Sequence, residues 1–467
     1  MAGAKTKPGP TPKAVTRAPK PSGGSFVGLD IGSQMIKVVE VTGSGNGLRV
    51  TAFGQAPTPF GTISQGIVSD PKTLGAAVKA LLSKSGVKSR KSVSAASGAA
   101  AVVVRVIEVP KMSPSELAET MKWEVERHIP FSPSEVELSY QKIDDPAVDN
   151  DDANPNMEVL LACAQRDMVS GHLDTLKAAG LTPAAIDVEP LAAGRALLSL
   201  SKQGLSDKNA VVVNIGSSMT DVGIFKKAAL RFPRTIPIGG DNFTQAIADR
   251  LGIPMDAAED EKKTSGKIFM DLVNQPMDDF PGSSAQDAGI SSIFDVSPEL
   301  SAPLPPALYD TPAPEAAAAG SPFDVTFDNP FDTPSPESEP VAETPVIETA
   351  PVPEDPRVTR QKEVFYALNP VLGEFAMELQ RSIDYFKSKY PSETIDQVLL
   401  CGGSASLLGL AEYVQYQTGI PASVADPFAG VNVTARQLSL DQRAQMAPAL
   451  AVAMGLAARD AVLGAGR

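Results

Sequence analysis

Cysteine and histidine are almost absent from this chain of 467 residues, which contains two of each. Cys163 and Cys401 lie far apart in the sequence, so a disulfide framework is not expected and the two thiols fit a reducing cytoplasm. Two histidines are too few for a histidine-based metal site, and they argue against a Ser-His-Asp catalytic triad.

Long uncharged apolar runs are also missing. The nearest candidate is "MAPALAVAMGLAARDAVLGAGR" at 446–467, which Arg459 and Asp460 interrupt, so the pattern favours an alanine-rich core helix over a membrane span. The basic residues at the N-terminus are not followed by an apolar stretch, and a secretory signal is therefore not predicted.

The net charge of −14 is concentrated in one segment. Between Asp271 and Pro356 there are about 17 acidic residues and no lysine or arginine, which leaves the rest of the chain near +3. This composition, rich in proline and acid, predicts a disordered insertion at 275–356. The Pro-rich basic stretch 1–24 predicts a disordered tail. The nearly balanced remainder gives no electrostatic case for binding nucleic acid.

Strand-like and helix-like segments alternate in both halves, which predicts an α/β protein with two sheets. The stretch "VGLDIGSQMIKVVEV" at 27–41 recurs in altered form as "VVVNIGSSMTDVGIF" at 211–225. Aligning the two at an offset of 184 residues pairs Asp30 with Asn214 and Ser33 with Ser217. We therefore expect a duplicated domain with a ligand-binding cleft between the halves.

Each of these stretches has the residues that a phosphate-binding hairpin needs. Glycine lets the backbone N–H groups of a turn approach a phosphate closely. In the first stretch, Ser33 adds a hydroxyl donor and Lys37 a positive charge, and Asp30 can hold a hydrated Mg²⁺. One such hairpin is most often only a solvated turn, but two at matching places can close on one triphosphate.

Three further segments fit the same ligand. Gly239 and Gly240 precede a predicted helix, and Gly402 and Gly403 separate a predicted strand from a helix, which is a place for backbone N–H groups to meet an anion. The stretch "AAEDEKK" puts Glu259 and Lys262 on one helix face. Taken singly, the glycines could serve tight packing and the charged pair could be a surface ion pair.

In this order the motifs resemble the superfamily of actin, hexokinase and heat-shock-chaperone ATPases. Within it, the chain resembles the PilM family of type IV pilus assembly proteins, whose nearest relative is the division protein FtsA. The resemblance covers nearly all of 25–460 outside the acidic insertion and is carried by "GLDIGSQMIKVVEV", "MKWEVERHIPF", "IDVEPLAAGRAL", "IPIGGDNFT", "ELQRSIDYF" and "LLCGGSASLLGL".

The resemblance implies a duplicated actin-like (ribonuclease H-like) ATPase fold with two lobes around a nucleotide cleft that binds ATP and Mg²⁺. The implied first lobe is 25–106 with 177–202, the inserted small α+β subdomain is 107–176, and the second lobe is 203–274 with 357–467. Carried over by position, the implied nucleotide-binding residues are Gly32, Ser33, Lys37, Gly216, Ser217, Thr220, Gly239, Gly240, Glu259, Lys262, Gly402, Gly403 and Ser404. Asp30 would position metal and water, with Asn214 as a weak second metal contact.

The family also implies partners. The small subdomain would dock the N-terminal peptide of a PilN-like inner-membrane protein, and the machine would include PilO, PilC and the motors PilB or PilT. A cytoplasmic scaffold, held at the inner membrane through its partners and able to form a homodimer, is the expected function.

One departure concerns hydrolysis. The superfamily's second phosphate motif usually begins with aspartate, whereas this chain has Asn214, whose neutral amide cannot supply a carboxylate charge to Mg²⁺ or water. We therefore expect nucleotide binding with slow or negligible turnover. Two alternatives on the same fold stay open: an FtsA-like filament former at the membrane, and an active small-molecule kinase.

Overall fold

A computed structural model describes residues 13–14, 24–64, 66–96, 98, 101–144, 154–200, 204–273, 355–435 and 439–463. The chain divides into one unit of Met1–Gln275 with Asp355–Arg467 and a second unit of Pro276–Glu354. Apart from Asp355 and Pro356, the insertion predicted at 275–356 lies outside the described residues. The tail predicted at 1–24 also lies outside them, except for 13–14 and Gly24.

Two sheets of matching topology form the centres of the two lobes. In the first lobe the strands are β2 (Gly24–Ile31), β3 (Met35–Gly43), β4 (Arg49–Pro57), β7 (Lys91–Ala96), β11 (Thr182–Val188) and β17 (Asn432–Val433), in the spatial order β11-β7-β2-β3-β4-β17. In the second lobe they are β12 (Asn209–Ile215), β13 (Thr220–Lys226), β14 (Ala229–Ile236), β15 (Gln397–Gly402) and β16 (Ala422–Val424), in the order β14-β13-β12-β15-β16.

The duplication extends to the register of the strands. In each lobe the central strand has an antiparallel partner that follows it directly and a parallel partner from later in the chain. Asp30 lies opposite Lys37, and Asn214 lies opposite Asp221 at the corresponding position. The predicted duplicated α/β fold with two lobes is confirmed.

Helices cover both sheets, and their caps follow from the sequence. In the first lobe, α1 (Pro71–Lys84) begins after Asp70, whose side chain accepts from the backbone N–H groups of Lys72 and Thr73, as a helix N-cap does. It packs against α3 (Arg166–Ala178). A two-stranded hairpin of β5 (Ile63–Ser64) and β6 (Ile67–Val68) lies beside them.

The second lobe has the helices α5 (Gly240–Leu251), α6 (Met255–Ser265), α7 (Pro356–Lys389) and α8 (Leu410–Thr418). The periodicity of α7 predicts one apolar stripe, and its members, Leu368, Leu372, Phe375, Leu379, Ile383 and Phe386, are all fully buried. They share a core with residues that precede the insertion, such as Phe243 and Ile247 of α5.

The small subdomain is built on a sheet of β8 (Val102–Pro110), β9 (Val136–Lys142) and β10 (Asn156–Gln165), covered by α2 (Pro114–His128). Its edge strand β9 also pairs in parallel with β1 (Lys13–Ala14), inside the stretch predicted to be a disordered tail. The boundaries differ from the predicted 107 and 176, because the sheet begins at Val102 and α3 packs on α1 of the first lobe.

The C-terminal segment differs from the predicted assignment of 357–467 to the second lobe. Strand β17 pairs in parallel with β4 of the first lobe. The chain then forms α9 (Leu440–Met446), α10 (Ala451–Ala457) and α11 (Arg459–Leu463), and α10 packs on β2 and on α4 (Glu189–Gly194). Gly28 makes this possible, since a Cβ there would lie 1.9 Å from the carbonyl oxygen of Ala453. Among the described helices, none is long and apolar enough to cross a membrane.

Candidate functional site

A cavity of about 760 Å³ lies between the two lobes. Its walls come from both hairpins of the repeat, from the beginning of α5, from α6 and from the turn after β15. Of the predicted site residues, Thr220 and Gly239 do not line it, and those that do are Asp30, Gly32, Ser33, Lys37, Asn214, Gly216, Ser217, Gly240, Glu259, Lys262, Gly402, Gly403 and Ser404.

The two hairpins meet across this cavity at their tips. Each turn is closed in the same way, by Gly32 N–H donating to the carbonyl of Met35 over 3.1 Å and by Gly216 N–H donating to that of Met219 over 2.9 Å. The Ser217 hydroxyl donates to the Ser33 hydroxyl over 3.4 Å. One anionic group can therefore contact both hydroxyls at once.

The first hairpin carries a buried ion pair. Lys37 Nζ lies 2.9 Å from Asp30 Oδ2, and both side chains are largely shielded from solvent. Burial alone would lower the pKa of the Lys37 ammonium, but the charge and hydrogen bond of Asp30, with a contribution from Glu189, raise it above the ordinary value. Lys37 thus remains charged at the base of the cavity.

The second hairpin places a carboxylate where the first has its lysine. Asp221 lies opposite Asn214 and accepts from the Thr235 hydroxyl over 2.7 Å. Burial raises the pKa of the Asp221 carboxyl, and the negative charge of Asp30 adds to this effect, although the hydrogen bond from Thr235 and the contact with Glu189 oppose it. Sequence reasoning missed Asp221, although the same offset of 184 residues pairs it with Lys37.

Glu189 completes this end of the cavity and was also missed. It opens α4 directly after β11, and its Oε2 accepts from the Asn214 amide over 3.1 Å. The other side of that amide faces Cys401, whose Sγ lies 3.9 Å from Asn214 Oδ1. Burial, followed by the charge of Glu189, raises the pKa of the Cys401 thiol, which stays protonated. The position of Glu189 between a predicted strand and a predicted helix was the available sequence signal.

Thr220 and Gly239 support the cavity from behind. Thr220 is fully buried in β13, and its hydroxyl donates to the carbonyl of Ile238 over 2.7 Å. A Cβ at Gly239 would lie 2.4 Å from the carbonyl oxygen of Ser217, so this glycine lets the turn before α5 pack on the second hairpin. Both residues support the hairpin, but neither lines the cavity. Side chains alternate along a strand, so Thr220 points to the face of β13 opposite to that of Asp221, which does line it.

Helices α5 and α6 form the opposite wall through one charged network. Lys262 Nζ lies 2.6 Å from Glu259 Oε2 and donates to the carbonyl of Gly240 over 2.9 Å. The Thr244 hydroxyl donates to the same Glu259 oxygen over 2.6 Å. Burial opposes the charge of Glu259, but its contacts with Lys262 and Thr244 outweigh burial and lower the pKa of the carboxyl. The predicted pairing of Glu259 with Lys262 on one helix face is present.

The turn after β15 closes the cavity from below. Gly402 has a φ of +96°, and a Cβ there would lie 2.3 Å from the carbonyl oxygen of Ile215, so a side chain is excluded on both counts. Ser404 lies beside Gly240, where a Cβ on the glycine would be 2.4 Å from the serine hydroxyl. After a short 3-10 turn at Gly403–Ser406, α8 begins only at Leu410.

The donor set fits a phosphorylated ligand better than a directly bound metal. Glycine turns, two facing hydroxyls and three lysines line the cavity. At Gly216, Gly240 and Gly402 a Cβ would collide with neighbouring atoms. Within the described ranges, no group of three or more carboxylate, thiol or imidazole side chains is arranged to hold a metal ion. Carboxylates in this arrangement suit a Mg²⁺ that keeps its own waters.

Comparisons with known proteins agree with this geometry. A PilM protein solved in a "PilM-PilN type IV pilus biogenesis complex" is 26% identical, with a TM-score of 0.66, covering 94% of this chain and 99% of that one. Cell division protein FtsA of Bacillus subtilis (strain 168) is 29% identical over 119 residues, and that of Neisseria meningitidis serogroup B is 35% identical over 80 residues. The chain spans only 26% and 19% of the lengths of these two curated relatives.

The family match is much broader than the FtsA matches. It covers residues 28–278 and 360–461, which is most of the chain on both sides of the acidic segment. The two phosphate-type hairpins and the turn after β15 all lie within it. The chain belongs to the family of the type IV pilus assembly protein PilM.

Proposed function

We propose that this protein is a nucleotide-bound scaffold of the type IV pilus assembly machine, which docks the N-terminal cytoplasmic peptide of a PilN-like inner-membrane protein. The observation that carries the nucleotide part is the contact of the Ser33 and Ser217 hydroxyls over 3.4 Å, one from each lobe. A ligand held by both hydroxyls fixes the angle between the lobes, and so selects one conformation of the whole molecule.

The cavity residues have defined parts in holding ATP and Mg²⁺. The hydroxyls of Ser33 and Ser217 would bind phosphate oxygens, with Lys37 supplying positive charge. The glycines would let the backbone of both turns approach the phosphates closely. Glu259 and Lys262 would face the ribose and base, together with the turn of Gly402 and Gly403. Asp30 would orient a hydrated Mg²⁺, whose chemistry is to neutralise phosphate charge. We expect slow hydrolysis, because the amide of Asn214 stands where a carboxylate would assist attack by water.

A second cavity of about 200 Å³ supports the peptide part. It lies between β8 of the small subdomain and β14 of the second lobe. Its lining combines the apolar Val102, Val103, Val104, Val188, Pro190 and Pro233 with the polar or charged Glu189, Asp221, Arg234 and Thr235. An extended peptide with both apolar and polar side chains fits such a groove. Glu189 and Asp221 line both cavities, so peptide and nucleotide would share a wall.

The location of the protein follows from this partner. A scaffold that binds the cytoplasmic end of a membrane protein lies at the cytoplasmic face of the inner membrane without spanning it. From there it would connect PilN and PilO to PilC and to the motors PilB or PilT.

A binding experiment with the full chain tests both parts. Calorimetric titration with a non-hydrolysable ATP analogue and Mg²⁺ is expected to show saturable binding, which the S33A/S217A double variant weakens about tenfold or more, since two hydrogen bonds to a charged group are lost. The matched control is S83A, at an exposed position of α1 outside the cavity. A labelled synthetic peptide of the PilN N-terminus is expected to bind both variants. No nucleotide binding at millimolar concentration, or no peptide binding, contradicts the respective part.

A further inference from the structure

The small subdomain is attached to the second lobe through a buried charged cluster, although its chain leaves and re-enters the first lobe. Glu158 of β10 is the centre of this cluster. Its carboxylate accepts from Arg231 of β14, from Lys389 Nζ over 2.9 Å and from the Tyr390 hydroxyl. Lys389 also lies 3.2 Å from Glu108 of β8, so both strands of the subdomain take part.

The charges of Glu158 and Glu108 balance those of Arg231 and Lys389, and the central pair of Glu158 and Arg231 is shielded from solvent. The side chains of Glu158 and Arg231 are 9% and 3% exposed. Burial opposes the charge of Glu158, but the hydrogen bonds from Tyr390 and Lys389 and the charge of Arg231 outweigh burial and lower the pKa of the carboxyl. Separating these groups would leave buried charges without partners, which is strongly unfavourable.

The base of the subdomain is held to the first lobe in a different way. There, the buried side chains of Ala96 and Met168 of the first lobe pack with Ala101 and Ala164 at the base of the subdomain. Arg166 at the start of α3 also contacts the exposed Glu137 and the carbonyl of Ser134. Alanine contacts are small and have no direction, and an exposed ion pair is weak, whereas hydrogen bonds to a buried charged group impose a geometry. The two attachments of the subdomain therefore differ in stiffness.

We propose that the Glu158 cluster makes the small subdomain move with the second lobe, so that a change in the angle of the nucleotide cleft moves the subdomain relative to the first lobe. The second cavity lies along the same junction, between the beginning of β8 and residues Pro233–Thr235 of β14, and the cluster joins these two strands through Glu108 and Arg231. Glu158 is thus a positioning residue, which fixes the width of that cavity. The inference rests on the proposed nucleotide site for its trigger but not on the pilus partner.

Distances between spin labels on the full chain test this. Labels replace three exposed residues, Lys79 on α1 of the first lobe, Glu126 on α2 of the subdomain and Arg250 on α5 of the second lobe. The two native thiols are buried, which raises the pKa of Cys163 to about 11 and keeps it unreactive. With the ATP analogue and Mg²⁺, the K79C–R250C and K79C–E126C distances are expected to change together, while the E126C–R250C distance stays constant.

The variant E158Q tests whether the Glu158 cluster is what holds the subdomain to the second lobe. It is expected to broaden the E126C–R250C distribution even without nucleotide. The control E137Q removes an exposed ion pair between β9 of the subdomain and Arg166 of α3, and is expected to leave this distribution narrow. If E158Q does not fold, Y390F removes one hydrogen bond of the cluster and is expected to act in the same direction.

Three results would overturn the proposal. The first is an E126C–R250C distribution that stays unchanged in folded E158Q or Y390F. The second is a K79C–E126C distance that stays constant while the E126C–R250C distance changes. The third is nucleotide that binds without changing any of the three distances. Calorimetry on the same samples shows separately whether nucleotide binds, so a failure of the nucleotide site is not confused with a failure of the cluster.

Discussion

Asn214 combines two roles that an aspartate could not. Its amide nitrogen donates to Glu189 over 3.1 Å, and its oxygen faces the protonated thiol of Cys401. A carboxylate there would lie close to Glu189 and Asp221 and would repel both at short range. The amide therefore stabilises the acidic end of the cavity without adding a further negative charge, although such a charge would assist phosphoryl transfer.

The variant N214D is expected to increase the rate of ATP hydrolysis roughly tenfold, since an added carboxylate can orient and polarise an attacking water. It is also expected to lower the free energy of unfolding of the free protein by about 1–3 kcal/mol, because the buried hydrogen bond to Glu189 is replaced by repulsion. Phosphate release at saturating Mg²⁺–ATP and thermal unfolding measure the two effects.

The control for N214D is Q445E, which adds the same charge at an exposed position lining the other part of the cavity. Q445E is expected to change neither quantity appreciably. Equal hydrolysis by wild type and N214D would show that Asn214 is not what limits turnover.

The individual residues show where sequence reasoning succeeds and where it stops. The repeat predicts which residues occupy the hairpin tips, because the glycine and serine positions match in both copies. It also pairs Thr220 with the apolar Ile36, which is fully buried, and this pairing was the available signal that Thr220 points away from the cavity. Asp221 was missed because a phosphate motif draws attention to residues that attract phosphate, and a carboxylate does not.

Two short helices of small residues, α4 and α10, cross between the lobes. Their backbones are in close contact, since a Cβ on Gly455 would lie 1.8 Å from the carbonyl oxygen of Ala192. The sequence predicts an alanine-rich core helix in this region, and residues 451–457 are indeed buried. Its partner could not be predicted, because alanine and glycine carry little information about which surface they meet.

G455A is expected to destabilise the protein by about 1–3 kcal/mol, because the added methyl forces two helix backbones apart. The matched variant is G373A in α7, where a Cβ would meet no atom within 4 Å. G373A is expected to stabilise by about 0.5–1 kcal/mol through helix propensity. Chemical denaturation of both variants measures the difference. A G455A protein as stable as G373A would contradict the close approach of α4 and α10.

Both sides of the acidic insertion contribute to one hydrophobic core. The ring of Phe243 in α5 contacts that of Phe375 in α7, with centroids 6.3 Å apart, and Glu261 of α6 pairs with Arg360 of α7 over 3.0 Å. Strand β15, from after the insertion, pairs with β12 from before it. Composition alone predicts that the acidic segment between these two sides is an insertion. The sequence does not predict that the C-terminal segment returns to the first lobe. Strand β17 has only two residues and therefore shows no alternation of apolar and polar side chains.

Replacing Pro276–Glu354 by a Gly/Ser linker of about ten residues is therefore expected to leave the fold and nucleotide binding intact. It is also expected to raise the free energy of unfolding by about 2 kcal/mol, since each halving of a flexible loop lowers its closure entropy cost by about 0.6 kcal/mol and this change is about three halvings. Denaturant unfolding and calorimetry measure the two quantities. The control is a Gly/Ser linker of the original length, which is expected to match the natural chain in both. If the short-linker protein lost cooperative unfolding while this control kept it, the folded unit would need a long connection, and the two sides of the core could not meet as described.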